Sequence, residues 1–301
     1  MAIDLKGSAI RIDSHQHFWR YTPEEYGWID DEMRSIRRDY LPKHLEPAIH
    51  SCGIGGVVSV QARQTLEETR WLLHLAALHD FITGVVGWIP LVADDVPDIL
   101  APLTEQRQLK AVRHVLQGEP DDRYMLRADF NRGIDALSEF GLLYDVLIFE
   151  RHLPQTIEFV DRHPGQVFVV DHAAKPRIRD HVLSPWRENM FRLAERSNVY
   201  CKISGLVTEA DYNGWTKQDL MPYLDTLLAA FGPQRLMFGS DWPVCLVATK
   251  YGDWFNLVAE QIQTLSDVER DAILGGTARR VYALDLPSPK ASRLPADDPY
   301  H

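Results

Sequence analysis

The chain has 301 residues, of which 45% are hydrophobic and 25% charged, with a formal net charge of −11. That length suits one large globular domain or two small ones, with enough apolar material for a sizeable core. The acidic balance and the lack of any Lys/Arg block argue against a nucleic-acid partner, and no uninterrupted apolar run is long enough to cross a bilayer.

In chain order, apolar and β-branched runs predict eight strands, at 9–13, 56–60, 82–88, 109–115, 142–148, 166–170, 198–203 and 235–238. The first interval, between Asp13 and Gly56, is long and polar and carries Trp19, Tyr21, Tyr26 and Trp28, which marks a functional loop rather than a connector. Thr65 with Glu68 forms a capping box before Leu66, Leu73 and Ala77, predicting a helix to about His79. Further helices are expected over 153–162, ending before Pro164, and over 222–231, ending at Gly232. Ser266 with Glu269 opens another, which should stop at Gly275 or Gly276, before a short last helix to Leu284. Segments 117–133 and 205–219 are candidate lids, and the tail after Leu286 reads as a surface strap. Without an internal repeat or a linker, the expectation is one domain over 1–301, with a core at about 9–285 and a tail at about 286–301.

Short apolar strands alternating with helices predict a parallel sheet covered by helices. A doubly wound open sheet would carry a Gly-rich phosphate loop after its first strand. Here that strand runs into Asp13-Ser14-His15-Gln16-His17. Polar chemistry at several strand ends fits an α/β fold of the (β/α)8 TIM-barrel kind, whose active sites collect at the C-terminal mouth. Cys52, Cys201 and Cys245 are too scattered for a metal knuckle or a disulfide framework, and the N-terminus has no signal-peptide pattern, so a cytoplasmic protein is expected.

His15 and His17 lead the candidate site, because residues i and i+2 of a strand face the same side. Imidazole both ligates divalent metals and carries protons near neutral pH. His172 and Asp241 follow the sixth and eighth strands; a carboxylate there can bind a metal or take a proton from water, or else cap the next helix. Arg113 and His114 alternate in side, so only one should point inward, Arg113 to hold a carboxylate or a polarised carbonyl or His114 to bond substrate hydroxyls. Asp145 either binds hydroxyls or fixes an inner histidine, and Lys202 shares a face with Ser204. Gln61 is a candidate for hydroxyl recognition, Trp28 and Trp242 for apolar walls, and Arg127 for a lid contact.

The run Arg11-Ile12-Asp13-Ser14-His15-Gln16-His17-Phe18-Trp19 resembles the start of the amidohydrolase superfamily, in its "amidohydrolase 2" branch. VVDHA at 169–173, CKISG at 201–205 and FGSDWP at 238–243 resemble the same branch at its sixth, seventh and eighth strands. Within it the chain is most similar to the sugar-lactone hydrolases, the L-fuconolactonases and L-rhamnonolactonase-like proteins. The resemblance implies a lactonase acting on a sugar lactone, L-fuconolactone first, in L-fucose catabolism, with His15, His17, His172 and Asp241 as reaction core and Trp28, Arg113 and His114 near the substrate. Metal-dependent members commonly add a His, or a bridging Lys or Glu, at the fourth and fifth strands, where this chain has Arg113-His114 and Asp145. A binuclear metal centre is therefore not expected. No cofactor is required on this reading, with an optional zinc at His15, His17 and Asp241. Asp241 would activate water, the histidines and Arg113 would stabilise the carbonyl oxygen, and a protonated group such as His172 would serve the leaving oxygen. The alternatives are a zinc-dependent hydrolase of another lactone or cyclic amide, a decarboxylase of the superfamily, or a noncatalytic sugar-acid binder. Monomer and homodimer are both compatible with a barrel of this size.

Overall fold

A computed structural model describes residues 10–285. Its strands are β1 (Arg11–Gln16), β2 (Ile54–Val60), β3 (Ile82–Gly87), β4 (Leu109–His114), β5 (Leu143–Val146), β6 (Phe168–Val170), β7 (Val199–Ile203) and β8 (Leu236–Phe238). They pair in parallel in sequence order, so each falls within or beside its predicted run. At the mouth β8 returns to β1: the Asp241 N–H donates to the His15 carbonyl (2.8 Å) and the His17 N–H to the Trp242 carbonyl (2.7 Å). This is a (β/α)8 barrel.

Alternation along the strands sorts the side chains. Val57, Val85, Val112, Tyr144, Val170, Cys201 and Phe238 face outward and pack with the helices. Val58, Val60, Val86, Ala111, Val169 and Met237 fill the interior, closed from below by Tyr282 and Leu284. The parity that points Ala111, Leu143, Val169 and Tyr200 inward places Arg113, Asp145, Asp171 and Lys202 one step higher. The strand register thus builds a layer of charge above an apolar plug.

The helices are α1 (Pro42–Ser51), α2 (Leu66–Leu78), α3 (Val96–Thr104), α4 (Ala128–Glu139), α5 (Leu153–Arg162), α6 (Trp186–Ala194), α7 (Lys217–Phe231), α8 (Tyr251–Gln261), α9 (Asp267–Asp271) and α10 (Thr277–Val281). Thr65 and Ser266 cap α2 and α9 as predicted, each accepting the N–H three residues on; Glu269 closes its box on the Ser266 N–H (2.9 Å), whereas Glu68 turns instead to the N–H groups of Ala62 and Arg63. Helix α7 opens before the predicted start: Thr216 and Asp219 cap it, and Pro222 lies inside. Gly275 interrupts the helical run that Ser266 opens, as predicted, with an extended φ of 169°. It lies in a π turn (Ala272–Gly276) leading into α10, where a Cβ would come 2.5 Å from the Ile10 carbonyl oxygen, so glycine here permits close approach to β1. The first loop is an aromatic cluster, with Trp19 5.8 Å from Tyr26, 5.8 Å from Trp28 and 5.5 Å from Tyr40, followed by α1. Ala9, the predicted start of the first strand, and the predicted strap at 286–301 lie outside the described residues. No helix among the described residues is long and apolar enough to cross a membrane.

Candidate active site

The site begins where β1 ends. Asp13 accepts from the backbone N–H groups of His15 (3.1 Å) and Ser240 (2.8 Å) and from the Tyr251 hydroxyl (3.0 Å), tying β1 to the loop after β8. His15 and His17 then project together, with their Nε2 atoms 3.2 Å apart. His17 Nδ1–H donates to the Val60 carbonyl (2.7 Å), which fixes the ring with Nε2 toward the site. His15 is fully buried, and burial holds it neutral, well below the ordinary imidazole range, against the pull of Asp171.

After β6 the chain takes an unusual path. His172, Ala173, Ala174 and Lys175 have φ of 52°, 52°, 57° and 48°, left-handed values that cost roughly 1–2 kcal/mol each outside glycine. Contacts around the turn offset the cost: Arg113 Nη1 donates to Asp171 (2.9 Å), His172 Nδ1 meets Ser204 Oγ (2.9 Å), and Trp186 Nε1–H donates to the Ala173 carbonyl (2.7 Å). Gly205, at φ 65°, lets the histidine in, since a Cβ there would stand 2.5 Å from His172 Nδ1. Burial lowers the His172 imidazole to about 4, against the pull of Asp241, so it too is neutral at pH 7.

Asp241 occupies another left-handed position, at φ 56°. Its Oδ1 lies 3.4 Å from His17 Nε2, 3.8 Å from His15 Nε2 and 3.9 Å from His172 Nε2, yet is buried without a hydrogen-bond partner. Burial alone would raise this carboxyl; the facing His172 and His17, with Lys175, hold it below the usual carboxylate range. It is an ionised carboxylate whose Oδ1 has no hydrogen-bond partner.

Beneath it, Lys202 Nζ reaches Asp145 Oδ2 (2.5 Å), Asp171 Oδ1 (2.9 Å) and His15 Nδ1 (3.1 Å), and Tyr282 donates to Asp145 (2.9 Å). A cavity of about 280 Å³ lies above, on the small side for a ligand pocket and suited to a monosaccharide-sized molecule. Its floor includes His17, Arg113, His172 and Asp241, one wall carries Trp28 and Met33, and the other Lys175, Glu209 and Tyr212.

The predicted residues therefore divide. His15, His17, His172, Asp241 and Arg113 converge, and Trp28 stands at the cavity, 43% exposed. His114 points away, pairing with Glu119 (2.7 Å) and stacking on Tyr124. Asp145 does not line the cavity; it lies in the buried layer against Lys202 and Tyr282. Gln61 braces Arg113 from the side: its Nε2 donates to the Arg113 carbonyl (3.2 Å) and its carbonyl accepts from the guanidinium. Trp242 is buried against Tyr40 and Phe18, and Arg127 lies on the surface, paired with Asp129 (2.5 Å). Lys175 and Glu209, 3.4 Å apart, were not singled out from sequence. They come from two loops without periodic pattern, Glu209 within the lid expected at 205–219.

His15 Nε2, His17 Nε2 and Asp241 Oδ1 lie 3.2, 3.4 and 3.8 Å from one another. Ligands about 2.1 Å from a tetrahedral zinc stand roughly 3.4 Å apart. The spacing, and the unpartnered Asp241 oxygen, fit such an ion. Asp171 completes a second group with His15 and His172, but it is already engaged by Arg113 and Lys202.

The amidohydrolase family model matches residues 12–284. The chain is 46% identical to an L-fucono-1,5-lactonase of Burkholderia multivorans over 299 residues, covering 95% of this chain and 99% of that one. It is 37% identical to an L-fucono-1,5-lactonase of Burkholderia ambifaria, covering 93% and 97%. A crystal structure of an amidohydrolase from Burkholderia multivorans with bound zinc superposes with a TM-score of 0.88 at 45% identity, over 92% of this chain and all of that one. The barrel, the convergent His/Asp floor and a match spanning nearly the whole chain agree: this protein belongs to the amidohydrolase family.

Proposed function

We propose that the protein hydrolyses a sugar lactone to the sugar acid, with L-fucono-1,5-lactone as the first substrate to test. The observation that carries this reading is Asp241: an ionised, unpartnered carboxylate at the floor of a small cavity, ringed by imidazoles and a fixed guanidinium. The 46% and 37% identical lactonases support the choice of substrate. Water seated against Asp241 gives up a proton to the carboxylate as its oxygen forms a bond to the lactone carbonyl carbon. Negative charge gathers on the carbonyl oxygen, where the Arg113 guanidinium and the imidazoles at the floor would stabilise it. The bond from carbon to ring oxygen then breaks, and the proton held at Asp241 passes, directly or through His172, to that oxygen. The products are the open-chain acid and a regenerated carboxylate.

A zinc ion at His15, His17 and Asp241 would supply Lewis-acid polarisation of the carbonyl. Arg113 already places a permanent cation beside this floor, so the proposed reaction does not require the metal. Zinc-dependent hydrolysis is the second reading, favoured by the donor spacing and by the zinc-bound relative. The test is acid release from a panel of sugar 1,4- and 1,5-lactones, before and after exhaustive chelation. Turnover that survives chelation is the expected result. Loss on chelation with recovery on zinc would install the second reading, and no turnover of any lactone would overturn both.

A further inference from the structure

The cavity wall holds charge that the chemistry at Asp241 does not use. Lys175 and Glu209 come from the loops after β6 and β7, with Nζ and Oε1 3.4 Å apart and the side chains 19% and 20% exposed. A tight ammonium–carboxylate hydrogen bond is about 2.7–2.9 Å long. This pair is slack, and a partly exposed ion pair of that length adds little stability. Its backbone is nonetheless pinned. The Lys175 N–H donates to the His172 carbonyl (2.8 Å), the Arg179 N–H to the Glu209 carbonyl (2.9 Å), and Thr208 Oγ to the Gly205 carbonyl (2.7 Å). Lys175 Nζ also stands 5.6 Å from the centre of the Phe149 ring. Slack opposite charges on a fixed wall suit a group that donates and accepts at once. A hydroxyl does both, donating to the carboxylate and accepting from the ammonium.

Two further observations point to the same ligand chemistry. Gln117 lines the cavity from the loop after β4, and its side-chain oxygen is buried without a hydrogen-bond partner among the described residues. A buried acceptor left open beside a cavity is satisfied by a donor that enters it. Both cations of the lining already face a carboxylate, Arg113 with Asp171 at 2.9 Å and Lys175 with Glu209 at 3.4 Å. Among the described residues no lining cation is left over for a carboxylate on the substrate, so a neutral molecule fits best. We propose that Lys175 and Glu209 are the specificity-determining pair of the cavity, binding one ring hydroxyl of a neutral polyhydroxylated lactone and selecting it over the bare ring. Lys175 donates to the hydroxyl oxygen, the hydroxyl donates to Glu209, and Gln117 accepts from a second hydroxyl. The substrate in this assignment rests on the lactonase reading, but the recognition of hydroxyls can be measured without turnover.

The test compares L-fucono-1,5-lactone with δ-valerolactone, the same ring without hydroxyls, in wild type, Glu209→Gln and Lys175→Met. In each variant the ratio of kcat/KM for the first lactone over the second should fall about tenfold or more, carried by KM. An unchanged ratio, with both lactones slowed alike, would give the pair a structural role and overturn the proposal. Calorimetric titration with 1,5-anhydro-L-fucitol, which keeps the ring hydroxyls and lacks the ester, reads the same contact without turnover. Wild type should bind it about tenfold or more tightly than Glu209→Gln does. Equal affinity, or no binding to the wild type, would overturn the proposal. A wild type that binds this ether with the expected difference but hydrolyses no lactone would contradict the lactonase reading and support the pair as the hydroxyl site.

Discussion

Two sets of ionisable side chains share the mouth of this barrel, one above the other, and are partnered in opposite ways. In the lower set, Asp145, Asp171, Lys202 and Arg113 face one another at 2.5–2.9 Å, with Tyr282 adding a hydroxyl. In the upper set, Asp241 Oδ1 has no hydrogen bond, and the side-chain nitrogens facing it are those of imidazoles at 3.4–3.9 Å. Both sets are buried. Buried charge is tolerated when paired and costs stability when left unpaired, so an unpaired group that persists has work besides holding the fold. On the proposed function the lower set is mainly support, with Arg113 alone also reaching the cavity, and the upper set carries the chemistry.

The comparison breaks first if the lower set can be opened cheaply. Asp145→Asn removes one partner of a buried ion pair and should cost about 3–5 kcal/mol, read as a lower denaturant midpoint. A loss under 1 kcal/mol would mean that the layer is not the support described here.

Glu68 sharpens the comparison from the side, as a buried carboxylate satisfied mainly by backbone. It accepts from the N–H groups of Ala62 (2.9 Å) and Arg63 (2.6 Å), and burial pushes it up to about 7 from the usual 4.5 despite them. A carboxyl raised on folding contributes its full stability below pH 4.5 and loses it as pH rises through about 7. Relative to Glu68→Gln, the wild type should therefore lose up to about 3 kcal/mol between pH 4.5 and 7.5. Parallel stability curves for the two proteins would show that this carboxyl does not titrate as described.

The smallest effect is expected at Trp28, which walls the cavity from an exposed position, edge-on to Trp19. Trp28→Ala should raise KM about three- to tenfold, with stability within about 0.5 kcal/mol of wild type. A collapse of kcat at unchanged KM would place Trp28 closer to the reacting atoms than its wall position implies.

All eight strands could be read from the sequence because each is a short apolar run, and α2 and α9 because their caps are written in Thr65/Glu68 and Ser266/Glu269. Helices such as α1 and α6 were not anticipated. Their hydrophobic faces are interrupted by charge, and α1 lies in an interval whose aromatic content drew attention to its loop instead. His15, His17, His172 and Asp241 were legible because each stands at the end of an apolar strand. Lys202 was legible only as a strand residue sharing a face with Ser204, because its partners Asp145, on β5, and Asp171, just after β6, meet it only when the barrel closes. Lys175 and Glu209 depend on the left-handed turn after His172, a backbone feature that no side-chain pattern announces.

The most direct test is the turnover of Asp241→Asn on a lactone that the wild type hydrolyses, measured together with its stability. Removing the free carboxylate should lower kcat about 10²–10⁴-fold while leaving the denaturant midpoint unchanged or higher, since the lost charge was buried and unpaired. Undiminished turnover in the folded variant would contradict the assignment of Asp241 as the base, and with it the division between scaffold and chemistry.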